Sequence, residues 1–245
     1  MRILVTGIAG SIGGTFANYL KEHEVFGIDS NEWAVAEFRQ KYPRIKVLLE
    51  DFVEWKFDQN PADLVIHCAA YKHVNLGEEN INSFIDNNII KTRKLFAEAY
   101  KHNTDILFIS TDKAVEPISL YGYTKAIGEK LAFNYNGKVA RLGNVLNSSG
   151  SVIPVWEQVI RENKPLPVTD IKMKRYVIEL DDAVNQIWQQ YQEGNQLIIP
   201  KCRQITMIEL IKVVMDKHEL KDYPIQIIGK RKGEKIEEKM RWDDE

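Results

Sequence analysis

Cysteine is nearly absent, histidine is sparse, and no stretch of this sequence stays apolar for long. The only two cysteines, Cys68 and Cys202, lie far apart with no metal-ligand spacing around them. A disulfide framework and a Cys-based metal centre are thereby excluded, and two reduced thiols in a cytoplasmic protein are expected. The five histidines have no paired ligand positions, so no metal is expected from them either. His67 and His73 read as core or loop residues. No apolar run approaches the roughly 20 residues that a membrane span needs. MRILVTG at the start runs directly into a strand pattern, without the features of a signal peptide. One-sided charge is missing as well: 33 Lys and Arg against 35 Asp and Glu leave −2. No basic field therefore argues for nucleic acid or an anionic membrane as partner. Repeats and low-complexity tracts are not found.

What the sequence has is rhythm. RILVT (2–6), EVFGID (24–29), IKVLLE (45–50), ADLVIHCA (62–69) and DILFIS (105–110) are short apolar runs. Between them, residues 11–22, 31–41, 80–102 and 122–136 carry helix-period hydrophobics. Such alternation predicts an α/β fold with a doubly wound parallel sheet, its strands apolar on both faces because helices cover both. After KVARLGNVL (138–146), Pro154, Pro165, Pro167 and Pro200 punctuate shorter segments, with helices predicted near 152–163, 180–193 and 206–218. A dinucleotide-binding core is therefore expected over residues 1–145. A mostly substrate-binding lobe, interleaved with that core, is expected over 146–245.

TGIAGSIG (6–13) follows the first strand and opens a helix. Gly7 permits the tight turn, Gly10 lets a pyrophosphate approach the backbone, and Gly13 lets helix and strand pack closely. With Ser11 and Ile12 between them, these residues offer helix-start amides to a phosphate. Asp29 ends the second strand, where a carboxylate bonds the adenosine ribose of a dinucleotide. No arginine follows in SNEW to receive a 2′-phosphate, so NAD is favoured over NADP. Asp51, beside Phe52 after the third strand, is a candidate for the adenine edge and equally for capping the next turn.

ISTDKAVEPISLYGYTK (109–125) places an acid, two amines and a phenol behind one strand. Tyr121 and Lys125 are four residues apart and share a helix face. A lysine beside a phenol favours phenolate, which makes Tyr121 a candidate base. Tyr123 has only Ile127 as its four-residue partner and reads as packing. Taken singly, each of these residues also fits a capped, solvated turn.

Together with HCAAYKHV (67–74), RLGNVLNSSGSVIP (141–154), DIKMKRYVI (170–178) and IIGKRKGEKIEE (227–238), these stretches carry a resemblance along nearly the whole chain. The sequence resembles the extended short-chain dehydrogenase/reductases. Within them, it resembles the polysaccharide-biosynthesis UDP-N-acetylglucosamine 4,6-dehydratases, inverting type. The resemblance implies a lyase that holds NAD or NADP, recycles it each turnover and takes a UDP-sugar. It implies Tyr121 as base for the carbon 4 hydroxyl, with Lys125 beside it, and Thr111 orienting the carbon 4 oxygen. Lys113 then removes the carbon 5 proton and Asp112 protonates the leaving water. For that role the Lys113 ammonium must titrate low, pushed down by burial, by Lys125 and by oxidised nicotinamide. Ala69, Ala70, Tyr71 and Asn88 are implied along the cofactor. Lys72, Asn144, Ser151, Val152, Pro154, Arg175, Arg231 and Glu234 are implied around the substrate, the arginines at its diphosphate. Relatives pair through the helices at 80–102 and 122–136, which implies a homodimer or higher homo-oligomer. An epimerase or 4-ketoreductase of the same superfamily is the alternative, and a non-catalytic NAD-binding protein is a further one.

Overall fold

Ile3 and Val5 turn to one side of the first strand and Leu4 to the other, and all three are fully buried. That is why the strands are apolar without alternation. A computed structural model describes residues 1–146, 148 and 152–243. The first half runs β1 (Arg2–Thr6), α1 (Ser11–Tyr19), β2 (Glu24–Asp29), α2 (Glu32–Lys41), β3 (Lys46–Leu49), β4 (Leu64–His67), α3 (Val74–Glu79), α4 (Ile81–Ile85) and α5 (Thr92–Lys101). It continues with β5 (Asp105–Thr111), α6 (Leu120–Asn134), β6 (Lys138–Leu142), β7 (Asn144–Val145), α7 (Val152–Arg161) and β8 (Leu166–Val168). β9 (Lys174–Ile178), α8 (Leu180–Gln192), β10 (Leu197–Ile198), β11 (Arg203–Thr206), α9 (Met207–Lys217) and β12 (Ile225–Ile227) complete it.

Seven strands form one sheet in the order β10-β6-β5-β4-β1-β2-β3, and every pairing in it is parallel. The order reverses at β1, so the carboxyl ends of β1 and β4 frame a crevice there. Ile3 and Val5 pack with Phe16 of α1 and Val184, Ile187 and Trp188 of α8. Leu4 packs with Leu95, Phe96 and Ala99 of α5 and Ala132 of α6. This is the doubly wound α/β architecture expected. Smaller sheets, β11-β9-β7 and β12-β8, share a separate core of Trp156, Leu166, Val177, Leu210 and Ile211. Among the described residues no helix is long and apolar enough to cross a membrane.

Three details differ from expectation. The helix predicted over 80–102 is interrupted by a π-helical stretch, Asp86–Lys91. The wider turn carries Asn88 inward, where it accepts from Tyr71 N at 2.9 Å and donates to Tyr71 O at 2.8 Å. Tyr123, read as a packing residue, is 52% exposed, and Ile127 is 43% exposed. β9 and β11 pair antiparallel in a region where helices alone were assigned from sequence.

The sequence also concealed a buried ion pair. Arg141 of β6 donates to Glu129 of α6 through Nε at 3.0 Å and a terminal nitrogen at 2.7 Å. Ser110 Oγ donates to the same carboxylate at 2.5 Å. The other terminal nitrogen of Arg141 reaches Met240 O at 2.8 Å, tying the C-terminal segment to the sheet. Removing one member strands a buried charge, at a cost of about 3–5 kcal/mol. Arg141→Met should lower unfolding free energy by that amount in urea denaturation, and Glu129→Leu/Arg141→Met should recover most of the loss. Equal stability of the wild type and the single variant would contradict this account of the pair.

Candidate active site

β1 ends at Thr6 and the chain must turn at once. Gly7 does so with φ +66°, and a Cβ there would stand 2.7 Å from Ala69 N. The loop after β4 therefore lies directly against the turn. Gly10 caps α1 without a side chain of its own, so the helix-start backbone is left open to the crevice. The result is a cleft of about 580 Å³. Gly7, Gly10, Ser11, Ile12, Gly13, Asp29, Asp51, Phe52, Ala69, Ala70, Tyr71, Lys72, Thr111 and Tyr121 line it. Cys68, Ser110, Gly143 and Val145 line it as well and were not among the site residues expected from sequence.

The Asp29 carboxylate accepts from Ala9 N at 3.2 Å and Asn31 N at 3.0 Å, holding it on the cleft wall. Asp51 accepts from Val53 N at 3.2 Å, capping a short 3₁₀ turn. It also meets Lys91 Nζ at 2.6 Å. Asn88, expected along the cofactor, is 2% exposed and not on the cleft wall; it braces Tyr71 from behind. His67 lies in the core between the Thr6 and Thr92 hydroxyls. Burial pushes the Cys68 thiol up to about 12, which leaves it un-ionised at neutral pH.

β5 delivers Thr111, and a 3₁₀ turn, Asp112–Ala114, carries the next two side chains. Thr111 Oγ1 donates to Asp112 Oδ1 at 3.0 Å, and Lys113 Nζ donates to the same oxygen at 2.9 Å. Asp112 is fully buried, and its Oδ2 has no hydrogen-bond partner among the described residues. α6 starts at Leu120 under a Ser119 cap. A Cβ on Gly122 would come within 2.4 Å of Lys113 O, so only glycine lets the helix, and with it Tyr121, sit this close. Burial pushes the Tyr121 phenol up to about 12; Lys113 and Thr111 oppose the rise and Asp112 adds to it.

The two lysines behave differently from the sequence reading. Burial tends to lower Lys113, but Asp112 and Glu238 outweigh it against a small opposing effect of Arg175. Its ammonium therefore stands above the ordinary lysine value, not below it. Lys125 takes the opposite course. It is 3% exposed, donates to Ile109 O at 2.5 Å and lies 3.9 Å above the Phe108 ring. Burial brings it down to about 7. The cation that bears on the phenol is Lys113, whereas Lys125 is drawn beneath β5.

On the substrate side, Asn144 Oδ1 accepts from Lys113 Nζ at 3.4 Å. Val152 and Pro154 are exposed at the start of α7, and Ser151 lies outside the described residues. Arg175 is spent internally, donating to the carbonyls of Lys174, Lys235 and Ile236 at 2.8, 3.0 and 3.1 Å. Arg231 is exposed, and its backbone N–H donates to Glu234 at 3.2 Å. Sequence reasoning missed Glu238. It is 3% exposed and 3.8 Å from Lys113 Nζ, 125 positions along the chain from it, and only the return of the C-terminal segment joins them.

A family profile described as polysaccharide biosynthesis protein matches residues 3–245. An uncharacterized membrane protein of Methanocaldococcus jannaschii is 32% identical over 99% of this chain and 81% of its own length. UDP-N-acetylglucosamine 4,6-dehydratase (inverting) of Campylobacter jejuni is 31% identical over 97% of this chain and 76% of its own. UDP-glucose 4-epimerase of Rickettsia rickettsii is 30% identical with the same coverage. Among solved structures, Pen from Bacillus thuringiensis superposes with a TM-score of 0.89 at 26% identity, over 98% of this chain and 81% of that one. The chain belongs to the polysaccharide biosynthesis protein family of extended short-chain dehydrogenase/reductases, within the nucleotide-sugar dehydratase and epimerase superfamily.

Lys125 gives a pH-dependent stability with a definite sign. Between about 7 and its unfolded value of 10.5 the unfolded chain binds the proton and the folded chain does not, so stability falls as pH drops through that window. Lys125→Met should be more stable than wild type, by a margin that widens from pH 10 to 7 and then levels off. Urea denaturation of the cofactor-free protein across that range measures it. A margin independent of pH would contradict the burial argument.

Proposed function

We propose that this chain is a nucleotide-sugar 4,6-dehydratase that converts UDP-N-acetylglucosamine to a 4-keto-6-deoxy product. The observation that carries the reading is the contact of Asp112, Lys113 and Thr111 at the end of β5, beside Tyr121. An epimerase or reductase needs the phenol but has no use for a carboxyl–ammonium pair next to it. The relative from C. jejuni supports the substrate.

The cleft fits NAD(P): the glycine turn packed on Ala69, the open start of α1 and the Asp29 carboxylate suit a pyrophosphate and a ribose. Gly7, Gly10, Ser11, Ile12, Gly13, Asp29, Asp51, Phe52, Ala69, Ala70 and Tyr71 would hold it, with NAD favoured by Asp29. When bound, it supplies reversible two-electron acceptance, and because carbon 4 is oxidised while carbon 6 is reduced, none is consumed.

In this scheme Thr111 orients the carbon 4 oxygen and Tyr121 takes its proton. The ketone acidifies the carbon 5 proton, which passes to Lys113 once that amine is neutral. Asp112 protonates the departing carbon 6 hydroxyl, so water leaves, and carbon 5 takes back a proton as carbon 6 is reduced. Lys113 must shed a proton that two carboxylates favour, and Asp112 must carry one when the carbon 6 hydroxyl departs, so passage of a proton from the ammonium to its carboxylate partner readies both groups. Residues 146–245 form most of the substrate side, joined by Asn144 just before them and reaching into the core through Glu238. With Arg175 engaged on carbonyls, the exposed Arg231 is the better placed for the diphosphate. Half-exposed Tyr100 and Tyr123 with Ile127 on α5 and α6 suit a homodimer.

A second reading, UDP-hexose 4-epimerization, is favoured by the R. rickettsii relative. Incubation with UDP-N-acetylglucosamine and mass spectrometry separates the two. Dehydration removes one water from the sugar, while epimerization leaves the mass unchanged. Lys113→Ala, Asp112→Asn and Tyr121→Phe should each cut dehydration by about 10²–10⁴-fold. Dehydration by Lys113→Ala at the parent rate would contradict its role. Sugar unchanged in mass and configuration would contradict both readings.

A further inference from the structure

We propose that Glu238 is a positioning residue for Lys113, a carboxylate delivered by the C-terminal segment that holds the ammonium against Asp112 and governs when it gives up its proton. The proposal rests on the dehydratase reading only for its effect on turnover.

The segment is pinned on both sides of Glu238. Arg175 donates to Lys235 O and Ile236 O, Lys174 N donates to Ile236 O at 2.9 Å, and Arg141 donates to Met240 O. With its backbone fixed, the Glu238 side chain turns inward and is buried. One oxygen stands 3.8 Å from Lys113 Nζ. The other stands 3.1 Å from Lys235 Nζ, yet it makes no aligned hydrogen bond among the described residues. Lys235 itself donates to Val115 O at 2.6 Å, just past the Asp112–Ala114 turn. A buried carboxylate between two ammonium groups, with one oxygen lacking a hydrogen bond, does little for packing. Its proximity to Lys113 is what it contributes.

The groups bearing on Lys113 come from several elements. Asp112 faces it from its own turn, Asn144 from β7, Tyr121 from α6, Arg175 from β9, and Glu238 from the C-terminal segment with Lys235 behind it. Asp112 and Glu238 favour the charged amine and Arg175 opposes it. Glu238→Gln removes one of the two carboxylates and leaves the other, so the amine should lose its proton at lower pH. A carboxylate serving only to neutralise Lys235 would leave Lys113 unmoved.

The test is competitive acetylation of the whole protein by acetic anhydride across pH, with Lys113 followed by peptide mass spectrometry. In Glu238→Gln the half-labelling pH of Lys113 should fall by about one unit, a tenfold faster labelling at fixed pH. Glu238→Asp should fall less, and Lys125 should label as in wild type. If Glu238→Gln fails to fold, Lys235→Met serves instead. It removes the competing cation and should raise the Lys113 half-labelling pH. Lys113 labelling that superimposes on wild type in the folded variant overturns the proposal. Labelling needs no substrate, so the two claims separate. A shift without dehydration overturns the proposed function and supports the inference; dehydration without a shift does the reverse.

Discussion

At the carboxyl end of β5 one ammonium group sits against two carboxylates, and the site is arranged around that contact. Lys113 touches Asp112 at 2.9 Å and lies 3.8 Å from Glu238. Asp112 is fully buried, and its contacts with Thr111 and Lys113 are what make a carboxylate tolerable there. Lys113, in turn, is the cation that eases ionisation of the Tyr121 phenol. Changes to either carboxylate therefore propagate to the amine and through it to the phenol. Carboxylate, amine and phenol form one coupled set.

Two arginines make this contact possible from a distance. Arg141, fully buried, joins Glu129 on α6 to Met240 in the C-terminal segment. Arg175 fastens the same segment to β9 through the Lys235 and Ile236 carbonyls. Both spend guanidinium donors on main-chain acceptors, which a lysine could not match in number or geometry. The smaller sheets and their core thus serve the larger one by returning residues 235–240 to the strand ends.

Much of the fold was legible because its signals are local. Two-sided burial makes β1, β2, β4 and β5 continuous apolar runs, and the glycine turn after β1 follows from chain geometry alone. The Thr111–Tyr121 cluster was legible for the same reason, since one strand end and one helix start carry it. What escaped were features set by distant partners. The π turn at Asp86–Lys91 carries Asn88 to Tyr71, a contact that no helical period records. The high proton affinity of Lys113 comes largely from Asp112 together with Glu238, and the latter sits in a segment whose sequence motif drew attention to Arg231 and Glu234 instead. Arg175 carried the expected chemistry for a diphosphate, but here the carbonyls of its own fold occupy it. Tyr123 shows the converse limit: an apolar helix position says nothing of whether its cover comes from the same chain.

In the proposed reaction Lys113 exchanges the carbon 5 proton with solvent before a proton returns to that carbon. Turnover of UDP-N-acetylglucosamine in deuterated water, with the product read by NMR, tests it most directly. The account predicts water loss with deuterium at carbon 5 in the wild type, and no such label with Lys113→Ala. Product that has lost water but keeps protium at carbon 5 would contradict it.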